Sequence, residues 1–398
     1  MTDTTFITRV RLKNYKSIPV CDVPLRPLIF LVGPNGAGKS NFLDALRFVA
    51  DSLRTTLDHA LRERGGIAEV RRRSGGHPNH FGIKLNFRLP SIEGQYSFQI
   101  GAQPKGGYEV KSEECTIWRE ALDQVNFSVQ NGKVVSSSAK VSPPAAIDRL
   151  YLVNAAGLEE FRPLYDALSR MGFYNLNPER IRELQSPDAL GILGREGGNI
   201  ASIYENLSQK APAVRKTIEE YLADVVPGIS GVDVKSLGPK QTLEFRQKVV
   251  GADPWRFLAA NMSDGTLRAF GVLVSLFQSS TGETRIPLVG IEEPEAALHP
   301  AASGVLLDGL IEASRSKQIL VTSHSPDLLD SPKIETDSVL AVNAHSGKTH
   351  VAPIHEAGKE ALRERLYTAG ELLRADQLGP DPKHIQRIES RQANLFDE

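Results

Sequence analysis

Lys39 and Ser40 close the run Leu31-Val-Gly-Pro-Asn-Gly-Ala-Gly-Lys-Ser-Asn41, which fits the pattern G-x-x-x-x-G-K-[ST]. Gly33, Gly36 and Gly38 let the backbone fold back with its N–H groups pointing inward, a nest that keeps side chains away from a bound anion. Pro34, Asn35 and Ala37 complete the turn and Asn41 follows it. In such a loop the lysine ammonium reaches the β- and γ-oxygens of a nucleoside triphosphate, and the Ser40 hydroxyl is offered to Mg²⁺.

Three further clusters carry matching chemistry. The apolar run Ile286-Pro-Leu-Val-Gly-Ile291 ends in Glu292-Glu-Pro-Glu295, the layout of a Walker B element. Mg²⁺ takes hard oxygen ligands, so Glu292 is the expected metal ligand opposite Ser40, and Glu293 is the residue expected to polarise a water for attack on the γ-phosphate. Asn261-Met-Ser-Asp-Gly-Thr-Leu-Arg268 opens a helix with Ser263 or Asp264 as its N-cap and Gly265 in the first turn, a tip suited to an anion. The strand-like Gln318-Ile-Leu-Val-Thr322 delivers His324 just past its end, where a γ-phosphate sensor would sit.

These groups need a scaffold that brings them together. Leu28 to Val32 reads as a short buried strand ahead of the loop, and Asn41 to Thr55 repeats apolar residues at helical spacing, which aims the positive end of a helix at the phosphates. Phe6 to Leu12 alternates as a first strand, and Phe81 to about Val141 reads as antiparallel sheet. Helical periodicity resumes over Phe161–Arg170 and Ile200–Val225. The chain then returns to α/β alternation: helix Asp264–Gln278, strand Ile286–Ile291, helix Ala301–Ser314, strands Gln318–Thr322 and Ser338–Val342. The fold class is therefore α/β, with the nucleotide lobe completed from both ends of the sequence. The expected division is 1–150 with the loop and antiparallel sheet, 151–250 as a mainly helical insert, and 251–398 with the remaining motifs.

Composition excludes more than it selects. The 398 residues are 40% hydrophobic and 24% charged with a net charge of −1, so nucleic-acid contact would need a local patch such as Arg71-Arg-Arg73. Cys21 and Cys115 are the two cysteines, without metal-ligand spacing, and are expected to be free thiols in a reducing cytoplasm. No apolar stretch approaches the roughly 18 residues of a membrane span.

Taken in order, Gly33 to Ser40, Ser263-Asp-Gly265, Ile291-Glu-Glu-Pro-Glu-Ala-Ala-Leu-His299 and Thr322-Ser-His324 resemble ABC-type ATPases of the SMC/RecF/OLD branch. The opening Leu12-Lys-Asn-Tyr-Lys-Ser17 is similar to that branch's first strand, and Gly370-Glu-Leu-Leu-Arg-Ala-Asp-Gln-Leu-Gly-Pro380 to the ending of a bacterial group described as predicted AAA ATPases. The resemblance implies a P-loop ABC-type head with ATP and Mg²⁺ as cofactors and two subunits sandwiching two nucleotides. Ser263, Asp264 and Gly265 of one subunit would then cap the nucleotide held by Lys39 and Ser40 of the other. Lys39, Glu293 and His324 would be catalytic, and Ala296 to His299 would cross the dimer interface. Glu292 departs from the more usual aspartate, and the Q-loop glutamine of this family is not identifiable in the sequence, Gln185 being only a guess.

The stretch between Ser40 and Ser263 is too short and too strand-rich for SMC arms, and the stretch after His324 too short for the nuclease domain of OLD proteins. Nuclease or toxin activity is thus expected from a separate effector protein. An ATP-driven switch in antiviral defence leads, a DNA-repair ATPase that clamps double-stranded DNA is the alternative, and a non-hydrolysing scaffold is the reading from another class. Gln392-Ala-Asn-Leu-Phe396 resembles the peptide that bacterial proteins insert into the sliding clamp.

Overall fold

The computed structural model describes residues 4–73, 78–104, 106–119, 124–188, 191–278, 285–392 and 395–396. Its N-terminal strands are β1 (Ile7–Tyr15), β2 (Ile18–Pro24), β3 (Leu28–Val32), β4 (His80–Leu89), β5 (Ile92–Ala102), β6 (Tyr108–Arg119), β7 (Gln124–Gln130) and β8 (Lys133–Ser137). The rest are β9 (Gly172–Tyr174), β10 (Ile229–Leu237), β11 (Lys240–Val249), β12 (Ala252–Leu258), β13 (Leu288–Glu292), β14 (Gln318–Ser323), β15 (Val339–His345) and β16 (Lys348–Pro353). They form a seven-stranded sheet β2-β1-β4-β5-β6-β7-β8, a three-stranded sheet β10-β11-β12 and a six-stranded sheet β16-β15-β3-β14-β13-β9.

In the six-stranded sheet β15, β3, β14, β13 and β9 run parallel, and β16 closes the edge antiparallel to β15. β3 shows why a continuous apolar run is needed there: Ile29 and Leu31 face one core, Phe30 and Val32 the other. The first core holds helix Lys39–Arg54, whose Phe42, Leu46, Val49 and Leu53 pack beneath the seven-stranded sheet. Phe48 of that helix meets Phe81 of β4 edge-on with ring centroids 5.5 Å apart. The second core holds helix Asp264–Phe277 together with helices Ile200–Lys210 and Pro212–Val225.

The middle of the chain differs from its sequence pattern in two ways. β9 lies within the stretch read as a mainly helical insert, yet pairs in parallel with Val289–Ile291 of β13 and extends the central sheet. Three residues leave no periodicity, and only a non-local partner makes them a strand. The sheet β10–β12 also departs from the expected helical insert: it buries Val232, Leu243 and Phe245 on one side, while charged residues pair across its strands, as Glu244 does with Lys235 at 2.9 Å and Arg256 at 2.8 Å. The helical run Ile200–Val225 is two helices, broken at Ala211 because Pro212 cannot donate to the preceding turn.

The tail packs back onto the chain. Ala393 and Asn394 of the clamp-like peptide lie outside the described residues, but Leu395 is buried against Val20 and Ile388, with Phe396 packed on the same cluster. Lys84 Nζ donates to the Phe396 carbonyl at 3.1 Å. Leu395 is thus buried and Phe396 half-buried against the chain itself. No helix among the described residues is long and apolar enough to cross a membrane.

Candidate functional site

The parallel strands β3, β14, β13 and β9 end at one edge of the central sheet. Register places Val32 beside Ser323 and Glu292 beside Thr322, so the glycine-rich loop, His324 and the two glutamates leave adjacent strand ends. That edge is where open α/β sheets bind ligands.

The loop itself is shaped by the β15–β16 hairpin. A Cβ on Gly33 would stand 1.9 Å from the Val342 carbonyl oxygen of β15. Gly38, the helix N-cap at φ 98°, lies against the Thr349 side chain of β16, and Thr349 Oγ1 donates to the Ala37 carbonyl at 2.9 Å. Ser17 completes this support, 2.7 Å from Thr349 Oγ1 and accepting from Asn41 Nδ2 at 2.7 Å. Gly33→Ala therefore forces backbone apart, costing about 2 kcal/mol by the scale of overpacked sites. It is expected to weaken ATP binding more than tenfold, as measured by calorimetry beside a thermal melt.

Lys39 is 5% exposed, and its ammonium donates to the carbonyls of Gly33 at 2.8 Å and Pro34 at 3.0 Å. Burial lowers its pKa, opposed by the charges of Glu293 and Glu295. Triphosphate oxygens would give it better partners than its own loop. Pro34, Asn35, Gly36 and Ser40 are exposed at the rim.

Beside the loop stands a carboxylate–imidazole pair. Glu293 Oε1 lies 3.2 Å from His324 Nδ1. The Glu293 backbone sits at φ +46°, a conformation that a side-chain-bearing residue holds only when its surroundings dictate it. They do: its N–H donates to the Thr322 carbonyl at 3.0 Å and Thr322 Oγ1 at 3.2 Å. Arg268 of helix Asp264–Phe277 donates to the carbonyls of Glu292 at 3.1 Å, Glu293 at 3.0 Å and Leu176 at 2.7 Å. Glu295 is buried under the pair, accepting from Ser323 Oγ at 2.5 Å, and burial raises its pKa although that bond opposes the rise.

Ser263 caps helix Asp264–Phe277, accepting from the Thr266 N–H at 3.2 Å, while Asp264 pairs with Arg182 at 2.5 Å. Ser263 and Asp264 are exposed. A Cβ on Gly265 would stand 2.5 Å from the carbonyl oxygen of Ala297, so this tip packs against the Ala296–His299 loop. None of the three lines the cavity that holds Ser40.

That cavity, about 260 Å³, has Ser40 and Glu292 on its wall together with Lys16, Asn41, Asp44, Arg47, Glu63, Arg64 and Arg195. A hydroxyl and a carboxylate facing one space are the hard donor set that Mg²⁺ takes. A cation already stands at the carboxylate: Arg195 Nη2 is 2.8 Å from Glu292 Oε1. The residues present thus fit a divalent cation held between Ser40 and Glu292.

Gln185 is not at the site. It is 4% exposed and its amide oxygen accepts from the Ala201 N–H at 2.9 Å, while its backbone pairs with Gln241. The segment beside Glu292 is instead the exit of β9, where Asn175 N–H donates to the Arg195 carbonyl at 3.0 Å and Asn177 N–H to that of Glu196 at 3.2 Å. Sequence reasoning also passed over Arg195 and Thr349, and gave Arg268 no role. Arg268 lies one helical turn past Gly265, a signal that was present; Arg195 and Thr349 carry no pattern at all.

A protein-family model described as "AAA domain, putative AbiEii toxin, Type IV TA system" matches residues 28–330. The OLD nuclease of Thermus scotoductus is 24% identical over 380 residues, 89% of this chain and 66% of that protein. Structural maintenance of chromosomes protein 1 of Schizosaccharomyces pombe is 31% identical over 180 residues, 40% of this chain and 14% of that protein. The chain thus spans less than two thirds of either relative. Among solved structures, an Smc head bound to the C-terminal winged-helix domain of ScpA superposes with a TM-score of 0.56 at 17% identity, covering 87% of this chain and 97% of that one. The Smc head with an extended coiled coil from Pyrococcus furiosus, bound to the C-terminal domain of ScpA, gives 0.56 at 14% identity, covering 91% and 99%. These two likenesses establish the fold.

Proposed function

From the premise that the chain belongs to this AAA-domain family, as an ABC-type P-loop ATPase of the SMC/RecF/OLD branch, we propose that it hydrolyses ATP and works as a dimeric conformational switch. The observation that carries the reading is the Glu293–His324 pair, 3.2 Å apart at the sheet edge that also bears Lys39. A scaffold that only holds nucleotide needs no such base.

In this reading Lys39 leaves the carbonyls of Gly33 and Pro34 for the β- and γ-oxygens, and the loop N–H groups hold the phosphates. Ser40 and Glu292 would hold Mg²⁺, which when bound supplies charge neutralisation for the phosphates. Glu293 takes a proton from the attacking water, and His324 orients Glu293 and meets the γ-phosphate. The exposed Ser263–Gly265 tip, away from the chain's own Ser40 cavity, supports a role on the nucleotide of a second subunit, with the Ala296–His299 loop beside it at the interface. Two shared nucleotides then favour the closed dimer, and hydrolysis releases it.

A switch of this kind serves antiviral defence when a separate nuclease or toxin reads its state. The OLD nuclease and SMC likenesses are compatible with the defence setting and with the DNA-repair alternative alike. The basic run gives DNA limited support, since Arg71 donates to the Pro78 carbonyl at 2.9 Å and Arg73 pairs with Glu69.

The test is ATP turnover of the purified protein, with Lys39→Ala as control, with and without double-stranded DNA. Turnover that Lys39→Ala reduces at least about a hundredfold, the scale of losing a preorganised charge at the transferring phosphoryl group, is the expected result. Stimulation by DNA selects the repair arm, indifference the defence arm, and equal turnover in protein and control removes the hydrolase reading.

A further inference from the structure

Arg195 reaches the metal position from outside the motifs. It lies in the segment Gly191–Asn199, which precedes helix Ile200–Lys210 and is held by a few specific bonds. Leu193 N–H donates to Gln278 Oε1 at 3.0 Å, Gly194 N–H to Asn199 Oδ1 at 2.7 Å, and Asn175 N–H to the Arg195 carbonyl at 3.0 Å. These bonds tie the segment to Gln278 and to the β9 exit, and the Arg195–Glu292 pair adds a tie to the end of β13 through a side chain that is 42% exposed and so able to leave it.

It stands between two cavities. One is the space shared by Ser40 and Glu292; the other, about 580 Å³, is lined by Arg195 together with Arg54, His59, Glu63, Asp188 and Asn199. Glu63 borders both, with its exposed carboxylate 4.0 Å from His59 Nε2. A guanidinium leaving Glu292 thus has a carboxylate to go to without crossing packed protein.

We propose that Arg195 is a placeholder for the metal: its guanidinium neutralises Glu292 until a divalent cation arrives with the nucleotide and displaces it, freeing the Gly191–Asn199 segment. The proposal rests on the ATP–Mg²⁺ reading of the site. Arg195 occupies Oε1 of Glu292, and a divalent cation arriving at the same carboxylate repels the guanidinium and competes with it for the charge, so each weakens the other's hold. Metal arrival is thereby read out at the base of the insert helices and at the β9 exit, both bonded to the same segment. Arg195 is a positioning residue in this scheme, acting through Glu292.

The experiment follows binding of AMPPNP, a slowly hydrolysed ATP analogue, by calorimetry across a MgCl₂ series. In Arg195→Ala the MgCl₂ midpoint is expected to fall about fivefold, the scale of a partly exposed ion pair. Arg195→Lys, which keeps a cation on Glu292, is expected to restore most of the wild-type midpoint. In the intact protein, amides of Gly191–Asn199 are expected to exchange hydrogen faster with AMPPNP and MgCl₂ than with AMPPNP and EDTA, and this measurement decides the matter should Arg195→Ala fail to fold. Binding by the intact protein with an unmoved or raised midpoint in Arg195→Ala, or, where that variant does not fold, with exchange insensitive to MgCl₂, overturns the placeholder role and leaves the nucleotide site standing. Absence of AMPPNP binding in the intact protein removes the site and the inference together.

Discussion

Glu293→Gln is expected to lower ATP turnover by about 10²- to 10⁴-fold, the range for loss of a general base, while ATP affinity changes less than about threefold. The amide keeps the size and the contact with His324 but cannot accept a proton from water. The pose of residue 293 does not depend on its carboxylate, because Thr322 and Arg268 hold its backbone from both sides. The fold and the nucleotide pocket are therefore expected to survive the change. Bound ATP would persist, so the variant is expected to accumulate as a long-lived dimer in ATP and Mg²⁺, visible by light scattering after gel filtration. Unchanged turnover together with an unchanged dimer lifetime would remove Glu293 from the chemistry and the switch with it.

Asp44→Ala is expected to destabilise the protein by about 3–5 kcal/mol, the cost of removing one side of a buried charge cluster. Asp44 projects from the helix that follows the glycine-rich loop, and its side chain is 9% exposed. It meets Lys16 at 2.6 Å, Arg47 at 2.8 Å and Arg64 at 3.0 Å, and accepts from the Tyr15 hydroxyl at 2.9 Å. Arg64 is 2% exposed, so alanine strands a buried guanidinium with Asp51 as its remaining acidic partner. Burial alone would raise the Asp44 carboxyl, but Arg64, Lys16 and Arg47 outweigh it and hold the group well below the usual carboxylate range.

The sign of the pH dependence follows. A carboxyl whose folded pKa lies below its unfolded value, about 4, contributes fully above that value and loses its contribution as pH falls toward the folded one. Urea unfolding of the two proteins is therefore expected to differ most at pH 7 and to converge progressively below about pH 4. A gap under 1 kcal/mol at pH 7, or one that does not change with pH, would show the cluster to be an incidental surface feature.

Much of this site was legible because its parts are local. A glycine-rich turn before Lys39-Ser40, an apolar strand ending in Glu292-Glu293, a serine cap at 263 and a strand that stops before His324 each depend on neighbours within a few residues. Their order along the chain then carried the family. β3 and the helix that follows it form where the apolar run and the helical spacing put them, since both are buried on faces that the spacing itself defines.

What sequence alone determined is thus the set of candidate reacting groups and the strand or helix that carries each. Tertiary structure alone decided which groups support them: Thr349 and Val342 behind the loop, Arg268 across two strand ends, Arg195 on Glu292, and Gln185 and Leu395 turned inward to packing. The reason is physical. A capping serine or a phosphate nest is chosen by torsions and hydrogen bonds within one turn, whereas a guanidinium or a three-residue strand has no preference of its own and takes the partner that the folded chain, hundreds of residues away in places, brings to it.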